Sequence, residues 1–549
     1  MNTCYPFQTA KEVISMRICH KKPININFVK LIGLYIVFFS LLFAFRHRMV
    51  FIDENDNFLG GIIVASGGDI YKNFISQHMP LMYYITAIFR ILGATSIFQF
   101  RLYFYALLSF IWVAMYRRYY KCFGSITMIL YPISYIMLMA SVDSVSFTVL
   151  SEQLQAQGLA ILLLEFLLFC KTKEIKLNNA IAISISILIS FGTAFVSVFA
   201  IFTISMGVFI IELKDHLADI KKPGKIFIDL LKKYWKLICL VILPFALLFF
   251  WYLFTDNIRN AFHGIYSINK YIYPKYNGGF GTSILKSLIL TVDNYFSTIN
   301  STLSGLVSNP LFSLRVLLNV FINILFVSFI FSKNKIASLT LIIFILMCGS
   351  RTYLSFHSLP YWGISALMGS ILLNKFINRF KTERYKITLG KSIFASVLLV
   401  IIVTPYFSQF STIVITSQDF TSSINTGTYE YFIDKLTTTD DKIQVFSLET
   451  NIYLQSNRMP AITDVCGGVC PWIYEMYGNK LLDDLKGSKP KVIVFNEQYE
   501  VWGYKYADFA PEIISYVKAN YTQFKQSSLP ALYVRNDYYQ EAIKKLSNH

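Results

Sequence analysis

Two carboxylates stand side by side where the first long apolar run of this sequence ends. Asp53 and Glu54 open the segment FIDENDNFLGG, and ionisable groups at the edge of a membrane-length run are costly unless they are solvated or used. A carboxylate within reach of a hydroxyl takes its proton. One that gathers with other oxygens holds a hard cation such as Mg²⁺ or Mn²⁺, and one at a helix start caps it. Further along, GGDIYKNFISQHMPL supplies Asp69, Lys72 and His78, and Arg101 opens the next apolar run. A second acidic position, Glu152 in SVDSVSFTVLSEQLQAQG, begins a helix, with Asp143 a weaker companion. RTYLSFHSLPYW sets Arg351 and His357 between two late apolar runs, beside Tyr361 and Trp362. Lys, Arg and His are the side chains that bind phosphate, and rings such as Tyr266, Tyr271, Tyr273 and Tyr276 stack on sugars. Each has a plainer reading as well. The acids belong to a solvated loop, Arg101 and Arg351 snorkel from helix ends, and His78 and His357 are hydrogen-bonded structural histidines. Glu152 answers a helix dipole, Asp69 closes the Gly67-Gly68-Asp69 turn, and the tyrosines with Trp362 form an interfacial belt.

The elements that must position these groups are membrane helices. Hydrophobic residues make up 55% of the 549 and charged residues 15%, a balance unlike that of a soluble surface. Apolar runs of membrane length fall at 28–45, 102–116, 123–141, 153–170, 178–194, 196–212, 237–254, 312–331, 336–350, 361–376 and 392–410, or about eleven spans. The stretch 178–212 is read either as two helices or as one broken pair. The formal charge of +18 is spread in short clusters between runs, which excludes a nucleic-acid groove and matches cytoplasmic loops. Arg117 with Arg118 and Lys121, Lys171 to Lys176, Lys214 to Lys236, Lys333 with Lys335, and Lys375 to Lys391 share one side with the N-terminus. Loops 142–151 and 192–196 on the other side carry no Lys or Arg. An odd span count then leaves the N-terminus cytoplasmic and the tail outside, with no cleavage pattern to remove the first run. Two polar outer segments, 46–98 and 255–311, interrupt the 1–415 membrane domain. Short apolar stretches 58–66 and 80–93 in the first are expected as interfacial helices.

The tail, 416–549, changes character. Lys442–Leu448 and Lys491–Asn496 read as strands, and Asn479–Leu485 and Pro511–Asn520 as amphipathic helices, which together make a small α/β domain outside the membrane. Cys466 and Cys470, in CGGVC, are either a local disulfide or two thiols.

The order of features in 53–101, an Asp-Glu pair after the first span, then Gly-Asp, a basic or His residue before Pro-Leu, Leu-Gly and an Arg, resembles the GT-C class of membrane glycosyltransferases. The bacterial branch with lipid A aminoarabinose transferase and the protein mannosyltransferases is the most similar. The resemblance covers the whole architecture, with sharp motifs only at 53–101. Gln77-His78-Met79-Pro80 stands where aminoarabinose transferases have Lys-Pro-Pro, so His78 takes the lysine's place. The resemblance implies transfer of a sugar from a polyprenyl-phosphate donor to an envelope acceptor, a glycan, cell-wall polymer or lipid A, with inversion, at the outer face of a bacterial inner membrane. It implies Asp53 as the base that takes the acceptor proton, and Glu54 as a residue that orients Asp53, holds a divalent ion with it, or caps. It implies Glu152 as a second acidic group near the acceptor. Lys72, His78, Arg101, Arg351 and His357 become contacts for the donor phosphate, and Asp69, Tyr266 and Tyr361 contacts for sugar or acceptor. A surface-polysaccharide polymerase or ligase is the alternative within the fold, though a ligase would carry a large late outer loop and no early Asp-Glu pair. A lipid or polysaccharide transporter is the alternative outside it, and would show repeated halves or mid-membrane charges.

Overall fold

A computed structural model describes residues 28–46, 50–142, 147–215, 223–276, 281–304, 310–349, 355–382, 428–464, 468–527 and 529–547. Where nothing but hydrocarbon surrounds a segment, its backbone must bond to itself, and the apolar runs accordingly form helices. They are α1 (Phe28–Phe43), α2 (Ile52–Ala65), α3 (Leu81–Ile91), α4 (Ile97–Phe123), α5 (Ser125–Val142), α6 (Ser151–Thr172), α7 (Leu177–Thr193), α8 (Ser197–Asp215) and α9 (Pro223–Phe254). After a short α10 (Ile258–Phe262) and a π-helix (His263–Ile272) come α11 (Ile284–Ser304), α12 (Pro310–Phe331), α13 (Lys335–Met347) and α14 (Leu359–Thr382). Among the described residues four helices, in α4, α6, α8 and α9, are long and apolar enough to cross a membrane, and six shorter apolar helices accompany them. The expected run at 392–410 lies outside the described residues, as do Arg351, Asp143 and Cys466. The 178–212 stretch resolves into two helices broken at 194–196.

Charge is divided between the helix ends. The last turns of α4, α6 and α8 carry Lys121, Lys171 and Lys214, whereas the first turn of α6 carries Glu152. The polarity read from the loops is thus built into the bundle, with acids at the end where α2 begins.

One expectation for the first polar segment is corrected. Helix α2 does not lie flat on an interface: Glu54 to Ile63 are buried without a break. Gly60 and Gly61 are the reason, because a Cβ at either would collide with Tyr83 or Thr86 of α3. The two glycines let α3 lie directly on α2. Helix α3 keeps one apolar face outward, with Ile88, Ile91 and Leu92 more than half exposed, as an interfacial helix would.

The tail is a four-stranded mixed sheet in the order β1 (Gln444–Phe446), β2 (Val492–Phe495), β6 (Leu532–Arg535), β5 (Tyr521–Gln523), with β1 and β2 parallel and the rest antiparallel. A separate hairpin joins β3 (Glu500–Val501) to β4 (Tyr504–Lys505). Both expected strands and both expected helices are present, the first helix lengthened to Pro471–Ser488. The tail's core is continuous with Leu59, Ile63, Ile70, Phe74 and Tyr83 of the first polar segment. Arg90 donates to Asn457 at 2.7 Å, and Lys275 pairs with Glu475. The sheet domain is therefore seated on the end of the bundle that carries Asp53.

Candidate active site

A cavity of about 1180 Å³ opens at that end. Its head is polar. Asp53 and Asn57 reach it from the first turns of α2, Gln77 and His78 from the loop before α3, Ser151 and Glu152 from the start of α6, and His357 from the turn before α14. Its far part is apolar and has a regular origin. Phe199, Phe202, Thr203, Met206, Gly207 and Ile210 of α8 face Ile336, Leu339, Thr340, Ile343 and Met347 of α13. Both sets follow the three- and four-residue spacing of one helix face. That face runs about 16 Å along the axis. Phe202 and Leu339 remain 62% and 58% exposed, so the trough is open along its side. Gly207 sets its floor, since a Cβ there would meet Thr340.

The π-helix supplies a third wall. Its wider turn places Ile265, Tyr266, Asn269 and Lys270 toward the cavity, and such insertions recur at functional sites. Lys270 Nζ donates to the Tyr266 hydroxyl at 2.6 Å. Asn269 Nδ2 donates to the carbonyl of Gln77 at 2.7 Å and so ties this wall to the His78 loop.

The head is held by short-range bonds. His357 Nε2 lies 3.7 Å from Glu152 Oε1, with both side chains less than a tenth exposed. His78 Nδ1 lies 3.5 Å from Asp56 Oδ2, and the Tyr83 hydroxyl donates to that same oxygen at 2.7 Å. Asn57 Nδ2 donates to the Val149 carbonyl at 2.9 Å and fixes the start of α6 against α2.

Of the expected site residues, the structure brings Asp53, Glu152, His78, His357 and Tyr266 to one cavity. It sends others elsewhere. Arg101 donates from Nε to Glu54 Oε1 at 2.8 Å and from Nη2 to Glu54 Oε2 at 2.6 Å, and it is 1% exposed. Its guanidinium faces α2 instead of the cavity, which corrects its assignment to the donor phosphate. Glu54 is corrected with it. Its Oε1 also accepts from the Val149 amide at 2.9 Å, so its carboxylate is committed to holding α4 and the start of α6. Among the described residues no three of His, Cys, Asp and Glu gather around one point. Tyr361 is buried behind α12, where its hydroxyl receives Asn323 Nδ2 at 3.0 Å, so it is not a sugar platform. Lys72 is exposed and Asp69 binds its own turn through Asn73, both away from the cavity lining.

Sequence reading missed Asp56, Asn57, Gln77, Asn269 and Lys270. The polar run ENDN held a signal for the first two. Four polar side chains in one helical turn that all become buried need partners on every side. Lys270 lies within the tyrosine cluster already noted, but only the π-turn reveals which face it shares.

No protein-family model matches the chain, and no curated protein matches it. Among solved structures the chain is similar to the archaeal oligosaccharyltransferase AglB from Archaeoglobus fulgidus, solved with an inhibitory peptide and a dolichol-phosphate. The TM-score is 0.46 and the identity 11%, over 93% of this chain and 74% of that one.

Proposed function

We propose that this protein is a GT-C-like membrane glycosyltransferase that moves a sugar from a polyprenyl-phosphate donor to a hydroxyl of an envelope acceptor. The observation that supports the reading is a single cavity whose head gathers carboxylates, imidazoles and a lysine while its body is an open apolar trough. A donor that joins a long apolar chain to a charged phosphate has that same division. The polyprenyl chain lies between α8 and α13, and the phosphate meets His78, Lys270 and His357.

The reaction follows from that placement. Asp53 accepts the proton of the acceptor hydroxyl as its oxygen attacks the anomeric carbon. The new C–O bond forms as the bond from that carbon to the phosphate oxygen breaks. The electron pair leaves with the polyprenyl phosphate, whose added charge is met by the cationic groups already in place. Attack opposite the leaving group inverts the anomeric centre. Glu152, fixed by His357, stands beside the acceptor path. The sheet domain covers the site from the extracytoplasmic side of a bacterial inner membrane, and the acceptor is a surface glycan, a cell-wall polymer or lipid A.

The deciding experiment uses the full chain in lipid nanodiscs with a panel of polyprenyl-phosphate sugars and an envelope lipid extract as acceptor. Release of free polyprenyl phosphate with one donor, abolished by Asp53→Asn, is expected. Folded protein that releases none from any donor overturns the reading.

A further inference from the structure

Asp56 belongs to no role assigned so far, and its setting is unusual. It is 5% exposed in the second turn of α2, and it does not line the cavity. Its Oδ2 receives the Tyr83 hydroxyl at 2.7 Å and faces His78 Nδ1 at 3.5 Å. Its Oδ1 is buried without a hydrogen-bond partner among the described residues. A buried carboxylate with half its capacity unmet is expensive, and it is retained where its charge acts on a neighbour.

The neighbour is His78, the one member of this group that reaches the cavity. Its backbone is pinned as firmly as its ring. The His78 amide donates to Ser76 Oγ at 3.0 Å, and its carbonyl accepts from the Tyr71 hydroxyl at 2.7 Å. Tyr83 lies 3.4 Å from Nδ1 and 2.7 Å from Ser76 Oγ, bridging carboxylate, imidazole and loop. The single Tyr83 proton goes to Asp56, and the carboxylate 3.5 Å from Nδ1 favours a proton on that nitrogen. On the ring's other side, Gln77 Nε2 lies 3.1 Å from His78 Nε2, while Gln77 Oε1 is buried and unpartnered among the described residues. Turning that amide over places Oε1 beside a protonated Nε2, where it accepts that proton until a phosphate oxygen takes its place. Both edges of the ring therefore favour protons, and the buried charge that compensates them is Asp56.

We propose that Asp56 is a positioning residue that holds the His78 ring with a proton on Nδ1 and by its buried charge favours the imidazolium, whose Nε2–H then donates to the donor phosphate. This deepens the glycosyltransferase reading and rests on it for the ligand alone. The pattern is a carboxylate behind an imidazole, in which the buried acid holds the Nδ1 proton and the exposed nitrogen does the contact. Nothing in the sequence marks the pair, since the residues are 22 positions apart and meet only because Gly60 and Gly61 let α3 close on α2.

The test has two readouts on the full chain in nanodiscs. The first is ¹⁵N NMR of histidine-labelled protein, with the His78 signals assigned by their loss in His78→Gln. Wild type should show protons on both ring nitrogens, and Asp56→Asn should remove the one on Nδ1. A bare Nδ1 in wild type overturns the proposal without any variant having to fold. The second is binding of a short-chain polyprenyl phosphate to wild type, Asp56→Asn, His78→Gln and the double variant. Asp56→Asn should weaken binding about tenfold when His78 is present and less than about twofold when it is Gln, as coupled residues do. Equal losses in both backgrounds would mean that Asp56 acts through packing, and the proposal falls. If wild type binds no polyprenyl phosphate yet the Nδ1 proton follows Asp56, the Asp56–His78 pair stands and the donor assignment fails.

Discussion

Glu54 and Arg101 form a two-pronged ion pair, 2.8 Å and 2.6 Å long, with both side chains no more than 1% exposed. It joins the first turn of α2 to the second turn of α4, and the Val149 amide adds the start of α6 to the same carboxylate. Three helices, two of which present cavity residues, are thus registered on one carboxylate. Removing one partner leaves a buried charge alone, at a cost of about 3–5 kcal/mol. Glu54→Gln and Arg101→Met are therefore expected to lower thermal stability sharply, and Glu54→Leu combined with Arg101→Met to regain part of it. Melting curves of the purified variants check this. An Arg101→Met protein of wild-type stability with lost donor binding would return Arg101 to the phosphate.

Asp53 precedes Glu54 by one residue yet faces the cavity. Asp53→Asn should leave donor affinity within about threefold and lower turnover about a hundred- to ten-thousandfold, the usual share of acid–base catalysis. Donor affinity and single-turnover rate, measured separately, decide it. Wild-type turnover in the folded variant removes the central assignment.

The apolar trough makes a prediction about donor length. Ile343 sits half way along the α13 face. Ile343→Trp should fill the groove and raise KM for a long-chain donor about tenfold while leaving a donor of two isoprene units nearly unaffected. Equal effects on both chain lengths would place the lipid elsewhere.

The sheet domain carries its own pH dependence. Complete burial pushes the Asp464 carboxyl up to about 7; the hydrogen bonds from Tyr453 and Gln444 and the Gly468 amide lower it, while the charge of Asp56 adds to the rise. Because the folded value lies above the unfolded one near 3.8, the folded state binds the extra proton between them. The associated stability is fully present below about pH 4 and is lost as pH rises through about 7. Asp464→Asn should therefore raise the melting temperature relative to wild type at pH 8 and confer no such gain at pH 4. A constant offset across that range would rule out titration of Asp464.

Sidedness is open to a direct experiment. From the basic residues at the last turns of α4, α6 and α8, that end is expected on the cytoplasmic side. Reporters fused at residue 2 and residue 549 should be active inside and outside respectively. A C-terminal reporter active only in the cytoplasm would invert the arrangement and put the cavity on the wrong face for an envelope acceptor.

Local pattern made the helices, the polarity of their ends and the strands Gln444–Phe446 and Val492–Phe495 legible in the sequence. Hydropathy, charge at helix ends and β-branched runs act over a few residues, and those scales survive without tertiary contacts. Residue type and position singled out Asp53, Glu152, His78 and His357 for the same reason: acids and imidazoles beside membrane-length runs are costly anywhere. What the sequence did not hold was direction. Asp53 and Glu54 are adjacent, but consecutive helical residues point about 100° apart, and only the packing of α4 and α6 on α2 turned Glu54 inward to Arg101. Arg101, Lys72 and Asp69 were chosen as charges near a site, and tertiary contacts sent one into the core and two to the surface. Asp56 passed unnoticed because its partner is on another element, and Lys270 because a π-turn changed the period that places it. The amino-acid sequence by itself determined a charge-polarised helical membrane chain with acids at one end and a small α/β tail. Only the tertiary structure decided which of those acids share a cavity, because burial and facing depend on residues far apart in the chain.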